Sequence, residues 1–352
     1  METKILHWEN TKDAVALLKQ GEAVAFPTET VYGMGVIASS KEAFDRLVSL
    51  KRRPADKPFT LMVSNYTDIA RFAEVDAAII RLIHIFMPGE VTFLLKARKD
   101  LPYQMDLGTG ILGVRFPAHA EVSALIEAVD EPLLVPSANR SGQPPLQNAA
   151  SVKWEFDGEL PAVIDGPVGD GLPSTIVDLS KPHQIHLIRE GRVPFVLIEK
   201  AFLESRSTEI AVASDHGGFL LKEKAKAHLS GMGFSCYDAG THSSASCDYP
   251  LFAADAAKRV ASGASELGLL FCTSGEGVAI AANKIKGIRC GIGYDDVASG
   301  KTREHNGANM IAFGAKYMEE EDVLRRIDIF LTEMPSKLEK HHRRINQIAA
   351  LE

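Results

Sequence analysis

The stretch EIAVASDHGGFLLKEKAKAHLSGMG, residues 209–233, passes from a short apolar run through a glycine pair into a helical pattern closed by glycine. Strand, loop and helix in that order make half of a βαβ unit. The rhythm continues downstream. FSCYDAG, ELGLLFC, IRCGIGY and MIAFGA read as further strands, and YPLFAADAAKRVASG, GVAIAANKI and DDVASGKTREHNG read as helices between them. Strict alternation predicts an α/β unit with a Rossmann-like, doubly wound parallel sheet over 209–352. Two charged helices, about 319–332 and 337–350, close it.

Upstream the rhythm differs. Residues 11–20 read as an amphipathic helix before the strand AVAF, and further helices are expected over about 42–50 and 78–87. TFLLKA, ILGVRF, PLLVPSA, AVIDG, STIVDLS and QIHLIRE follow as strand-like runs. Many strands, fewer helices and no clean alternation predict an α+β domain over 1–198 with a twisted mixed sheet. The polar stretch EKAFLESRST, 199–208, is read as the linker. At roughly 150 residues per domain, a chain of 352 residues has room for two.

Hydrophobic residues make up 45% and charged residues 24%, ordinary globular usage that argues against global disorder. The formal net charge of -7 disfavours a non-specific binder of nucleic acid or anionic membrane. No run approaches the roughly 18–20 apolar residues of a membrane helix. The first residues, METKILHWENTKD, lack a signal-peptide core, so a cytoplasmic location is expected. The 4 cysteines, Cys236, Cys247, Cys272 and Cys290, show no CxxC spacing and predict no metal site.

In the first half, PTETVYGMG (27–35) offers the Thr28 and Thr30 hydroxyls, with Gly33 and Gly35 expected to let a ligand approach the backbone. KRRP (51–54) sets cations just after a helix; a solvated charge run is the plain reading, and a grip on polyphosphate by Lys51 and Arg53 the sharp one. GVRFPAH ends a strand with Arg115 and His119, and PSANRSG ends another with Ser137, Asn139 and Ser141. Each alone could be a turn. Their order, PTETVYG, KxRP, PGxxTF, VRxPxH and SANxSG, resembles the YrdC family of threonylcarbamoyl-adenylate synthases over about 8–195. The resemblance implies condensation of L-threonine, bicarbonate and ATP, the last as its Mg2+ complex, with release of pyrophosphate. The product serves other proteins that modify an adenosine in transfer RNA. It further implies that Thr28, Arg115 and Ser174 contact threonine, and that Lys51, Arg53, Ser137, Asn139 and Arg189 hold ATP. Four positions depart from the family pattern: Met62, Glu90 (for the proline of PGPxTF), Pro145 and Pro173 (for an acidic residue).

In the second half, SDHGG (214–218) places Asp215 and His216 beyond a strand, where such folds bind ligands, although Asp215 could equally cap the next helix. CTSGEG (272–277) sets Cys272 at a strand end before a loop of Ser274, Gly275 and Gly277 whose amides can hold an oxyanion. TREHNGAN contributes His305 and Asn306, and KHHRR contributes Lys340 and Arg344. SDHGG, DYP, CxSGxG, AANK and REHN together resemble type B ribose-5-phosphate isomerase and its galactose-6-phosphate isomerase relatives over about 209–350. The resemblance implies aldose–ketose isomerisation of a pentose phosphate through an enediol. Cys272 would move the proton, His305 with Asp215 would open the ring, and Ser274 would relay protons. The amides of Gly275 and Gly277 would hold the enediolate. His216, Asn306, Lys340 and Arg344 would bind the sugar phosphate, with Lys340 standing where arginine is usual. No metal or organic cofactor is implied, and a homodimer through this half is. Three alternatives stay open: a non-catalytic RNA-binding first half, an allose or galactose 6-phosphate substrate, and one half acting only as a dimerisation scaffold.

Overall fold

A computed structural model describes residues 2–54, 58–181, 184–203 and 209–352. The chain divides into two units, one of Met1–Glu74 and Leu82–Leu203, the other of Val75–Arg81 and Glu204–Glu352.

The first carries β1 (Lys4–Leu6), α1 (Thr11–Lys19), β2 (Val24–Phe26), β3 (Gly33–Ile37), α2 (Lys41–Lys51), β4 (Leu61–Met62), α3 (Tyr66–Phe72), the part of α4 (Ala77–Phe86) from Leu82 onward, β5 (Val91–Lys96), α5 (Tyr103–Asp106), β6 (Ile111–Arg115), α6 (Ala120–Val129), β7 (Leu133–Leu134), α7 (Ala149–Phe156), β8 (Ala162–Ile164), β9 (Thr175–Asp178), β10 (His186–Arg189) and α8 (Phe195–Leu203). Its strands form one mixed sheet in the order β1-β8-β2-β3-β7-β4-β6-β5-β9-β10. The helices α3 and α5–α8 were not anticipated, so helix is more abundant here than the strand-rich reading of the sequence allowed. α8 also occupies residues 199–203 of the expected linker, and residues 204–208 lie outside the described residues.

α2 shows why these residues fold locally. The Ser40 Oγ accepts from Ala43 N at 3.1 Å and opens the helix. Ala43, Phe44, Leu47, Leu50 and Lys51 share its buried face. Arg52, with φ 47, closes it in the left-handed region and turns the chain just after Lys51. Gly33 and Gly35 have a different role from the one read in the sequence. They lie in β3, where a Cβ would stand 2.7 Å from Val135 Cγ1 and 2.8 Å from Phe26 Cε1 respectively. Packing within the sheet, not ligand approach, requires their lack of a side chain.

The second unit carries β11 (Glu209–Ser214), α9 (Phe219–Gly231), β12 (Ser235–Asp238), α10 (Tyr249–Ala261), β13 (Leu267–Cys272), α11 (Glu276–Ala282), β14 (Cys290–Ile292), α12 (Asp296–Asn306), β15 (Met310–Gly314), α13 (Glu320–Thr332) and α14 (Glu339–Ala349). The strand order is β12-β11-β13-β15-β14, and every pairing is parallel. All of β13 is buried, as expected of a strand covered on both faces. Small residues let α10 lie close: Ala253, Ala256 and Ala257 join Ala211, Ala213 and Leu270 in one core. The strand order reverses between β11 and β13, so the crevice beyond their carboxyl ends is the place for a ligand.

Candidate active sites

In the first unit, a cavity of about 630 Å³ is lined by residues from widely separated parts of the sequence, among them Arg53, Arg115, Ser137, Asn139, Ser174 and Arg189. Met62, Pro145 and Pro173, three of the positions that depart from the family pattern, line it too.

Arg115 ends β6 and is 6% exposed. Its NH1 and NH2 both donate to Thr30 Oγ1 at 3.1 Å, and NH2 stands 2.9 Å from Glu29 Oε1. Its Nε donates to Gly89 O at 3.3 Å. The guanidinium is therefore fixed from behind while its side chain forms part of the cavity wall. Thr28 is not among the lining residues. Its Oγ1 donates to Val31 O at 2.7 Å and lies 2.9 Å from Thr30 Oγ1, so it braces the residue that braces Arg115. Ser174 Oγ lies 3.0 Å from Thr92 Oγ1, and Arg189 NH2 donates to Ser174 O at 2.8 Å.

Lys51 is 2% exposed and also stands behind the wall. Its Nζ donates to Ser137 O and, at 3.0 Å, to Asn139 Oδ1. Burial, and then the neighbouring Arg53 charge, lower its pKa from the ordinary lysine range to about 7. Ser137 Oγ lies 2.5 Å from the same Asn139 oxygen, so the SAN turn and the end of α2 form one polar unit. Arg53 reaches the cavity with its guanidinium 5.1 Å over the Phe59 ring, and NH2 donates to Pro58 O at 3.2 Å. Glu29 and Thr92 had not been singled out. Both lie inside motifs quoted for other residues, and their partners are remote in sequence.

In the second unit, Asp215 and Cys272 stand at the ends of adjacent strands, with Ser214 opposite Phe271 in register. Asp215 N donates to Phe271 O at 3.3 Å, and Asp215 Oδ1 accepts from Gly218 N at 2.9 Å. That bond closes the SDHGG turn, whereas α9 starts from Gly218 with no side-chain cap, so Asp215 does not cap the helix. Cys272 is buried at 4% exposed, and its Sγ accepts from Gly275 N at 3.0 Å. Gly275 needs its freedom: φ is 85, and a Cβ would meet the Phe313 and Gly314 backbone at 3.0–3.1 Å. Of the other thiols, desolvation pushes Cys236 up to about 11 and Cys290 up to about 12, which suppresses their thiolates.

His216 is exposed, and its Nδ1 accepts from Cys247 N at 3.3 Å. Ser274, His305, Asn306 and Arg344 line a second cavity of about 980 Å³ with Glu276, Tyr294, Lys301, Thr302 and Tyr317. Cys272, Asp215, His216, Gly275, Gly277 and the exposed Lys340 do not line it. The loop after Cys272 thus reaches the His305 cavity through Ser274 and Glu276, while Cys272 and Asp215 stand at the β11–β13 strand ends outside its lining. The His305 ring packs 4.2 Å from that of His341. Burial, and then the charges of His305 and Lys340, lower the His341 pKa. Lys301, Tyr294 and Tyr317 were missed, because nothing in their local sequence marks them.

The family described as telomere recombination, Sua5–YciO–YrdC, matches residues 16–191, and the ribose/galactose isomerase family matches residues 210–348. The threonylcarbamoyl-AMP synthase of Pyrococcus abyssi is 35% identical over 205 residues, 58% of this chain and 60% of that one. The enzyme of that name from Bacillus subtilis is 33% identical over 192 residues, 53% of this chain and 54% of that one. The matches thus cover only part of each of these two relatives. A P. abyssi Sua5 variant structure is similar in fold, with TM-score 0.55, 24% identity, and 94% of this chain and 96% of that one covered. A ribose-5-phosphate isomerase B structure from Clostridium thermocellum has TM-score 0.40 and 34% identity, covering 41% of this chain and 97% of that one. Among the described residues, no helix is long and apolar enough to cross a membrane.

Proposed function

The chain belongs to the Sua5–YciO–YrdC family, and from that premise we propose that its first half condenses L-threonine, bicarbonate and ATP to threonylcarbamoyl-AMP and pyrophosphate. The carrying observation is the convergence of Arg53, Arg115 and Arg189 on one cavity, with Lys51 held just behind. The threonine amine attacks the bicarbonate carbon, a C–O bond breaks and water leaves, giving a carbamate. A carbamate oxygen then attacks the α-phosphorus of ATP as the bond to pyrophosphate breaks. No side-chain nucleophile is needed. Arg115 pairs with the amino-acid carboxylate, Ser174 completes that end, and Thr28 braces it from behind through Thr30. Lys51, Arg53 and Arg189 meet the charge that develops on the leaving pyrophosphate, while Ser137 and Asn139 set Lys51 in place. ATP is taken as its magnesium complex. The product passes to proteins that modify transfer RNA. The test is pyrophosphate release by the full chain: it should require threonine, bicarbonate and ATP together, and release independent of threonine would overturn the reading.

The second half resembles an RpiB-type isomerase, and we propose ribose 5-phosphate and ribulose 5-phosphate as its substrates. The support is Cys272 at the switch point beside Asp215. The thiolate takes a proton from one carbon of the enediol pair and returns it to the other. The loop amides of Gly275 and Gly277 hold the oxyanion. His305 opens the ring, Asp215 assists it, and Ser274 relays protons. His216, Asn306, Lys340 and Arg344 bind the phosphate and hydroxyls. The resemblance of the second half to type B isomerases implies a homodimer with a shared site, and a second copy would complete the His305 cavity. Aldose–ketose conversion assayed with ribose, allose and galactose phosphates identifies the sugar, and loss of activity on dilution to monomer tests the shared site.

A further inference from the structure

Glu90 replaces a proline of the family pattern, and in this chain it has a partner. Its Oε2 lies 3.3 Å from Arg192 Nε, and Arg192 NH1 lies 2.8 Å from Asp170 Oδ2. One guanidinium thus bridges carboxylates from two loops. Arg192 belongs to the segment 189–195, which crosses the start of β9 at close range. Arg189 Nε and NH2 donate to Ser174 O at 3.3 and 2.8 Å, and Gly191 N donates to Thr175 Oγ1 at 2.9 Å. Arg192 N donates to Pro173 O at 3.3 Å, and Thr175 Oγ1 donates to Val193 O at 2.6 Å. A Cβ at Gly191 would lie 2.0 Å from Pro173 O, so the backbones touch there. Pro173, Ser174 and Arg189 line the cavity, whereas Arg192 does not.

We propose that Arg192, clamped by Glu90 and Asp170, is a positioning residue: it holds the 189–195 segment across β9 and so fixes where the Arg189 guanidinium stands at the nucleotide end of the cavity. The proposal rests on the reading of this cavity as an ATP site. Burial, and then the nearby Arg115 charge, disfavour the Arg189 cation, and the bonds that its Nε and NH2 make to Ser174 O depend on how the 189–195 segment lies across β9. The two ion pairs of Arg192, one to Glu90 without a hydrogen bond and one to the half-exposed Asp170, add a modest restraint on that segment.

The test compares the full chain with its Arg192→Ala, Arg192→Lys and Glu90→Gln variants. Arg192→Ala should raise the KM and Kd for ATP about three- to tenfold, with kcat within about twofold and a smaller rise in the threonine KM, because Arg189 bonds Ser174. Glu90→Gln should shift ATP affinity the same way by less, and Arg192→Lys should restore part of it. Hydrogen exchange at the Gly191 and Arg192 amides should quicken in Arg192→Ala. Unchanged ATP affinity with faster exchange would overturn the positioning role, as would a uniform loss of kcat and of both affinities. Absence of ATP binding in the parent chain would sink the nucleotide reading itself, while the exchange data would still report whether the clamp holds the segment.

Discussion

The two units gather their chemistry in opposite ways. In the second, Asp215 and Cys272 reach the same crevice because they end adjacent parallel strands, and each is announced by a glycine-rich loop directly after its strand. In the first, Arg53, Arg115, Ser137 and Arg189 come from elements far apart in a mixed sheet and meet only through long-range pairing. A parallel sheet points every strand's carboxyl end the same way, so its site follows from topology. A mixed sheet gives no such rule, and its site must be held by specific bonds. That is why Arg115 carries three braces, Glu29, Thr30 and Gly89, while Cys272 carries one bond from its own loop.

The sharpest way to break this comparison is to disable one unit at a time. Cys272→Ala should lower isomerisation about a hundredfold to ten-thousandfold and leave pyrophosphate release unchanged. Lys51→Ala should lower pyrophosphate release about a hundredfold to a thousandfold and leave isomerisation unchanged. Steady-state assays of both reactions on each variant check this. If either substitution silences both activities, the two units do not work independently.

Next in size is Arg115→Ala, which removes the member that the mixed sheet holds most tightly. The threonine KM should rise about tenfold to a hundredfold, because a bidentate carboxylate contact is lost. Glu29 would lose its cationic partner, so stability should also fall by about 1–3 kcal/mol. Arg115→Lys should recover the stability better than the KM, since ammonium replaces the charge but not the fork. Thermal unfolding alongside threonine kinetics separates the two effects.

The same contrast explains what could be read from the sequence. The second unit's strands are unbroken apolar runs such as LGLLFC, with helices between them, and each falls where the pattern put it. The first unit hid α6 and α7. AEVSALIEAV follows a proline-containing motif read only for its end-groups, and α7 is short, with just Ala149, Val152 and Phe156 buried. β3 was obscured because GMGVI begins inside a glycine-rich motif. Arg115 and Arg189 were marked by local motifs, but Glu29 was not. Its significance arises only when the end of β6, 86 positions later, packs against it at 2.9 Å. In the second unit, Lys301 and Tyr294 were missed for the same reason: a cavity lining is a property of packing, not of neighbours in sequence.

A smaller effect should appear in the pH dependence of nucleotide binding. Burial lowers the Lys51 pKa to about 7, so the free protein holds this amine half-protonated near neutrality. A polyphosphate favours the ammonium and raises its pKa in the complex. Binding therefore takes up a proton above about pH 7, and ATP affinity should fall by up to about tenfold per unit as pH rises from there. Calorimetry in buffers of different ionisation enthalpy measures the uptake directly. Lys51→Arg should flatten the profile, because guanidinium stays charged throughout. A flat profile in the parent chain would mean that Lys51 is not coupled to the phosphates.

The smallest change in activity is expected at Gly35, where the first unit's glycine-rich motif is structural. Its φ is not in the left-handed region, so alanine meets no backbone obstacle there. The new Cβ would instead press into the fully buried Phe26 ring at 2.8 Å and approach Leu133 at 3.3 Å. Overpacking of this kind costs about 1–3 kcal/mol. Gly35→Ala should therefore lower the unfolding midpoint while leaving the KM for ATP and threonine unchanged in the folded fraction. Loss of ATP binding without loss of stability would reverse the assignment and make the glycine a ligand contact after all. Either outcome also bears on the comparison between the units, because Gly275 carries the φ of 85 that Gly35 lacks. Alanine at Gly275 strains the loop that holds Cys272 Sγ, so there stability and isomerisation should fall together.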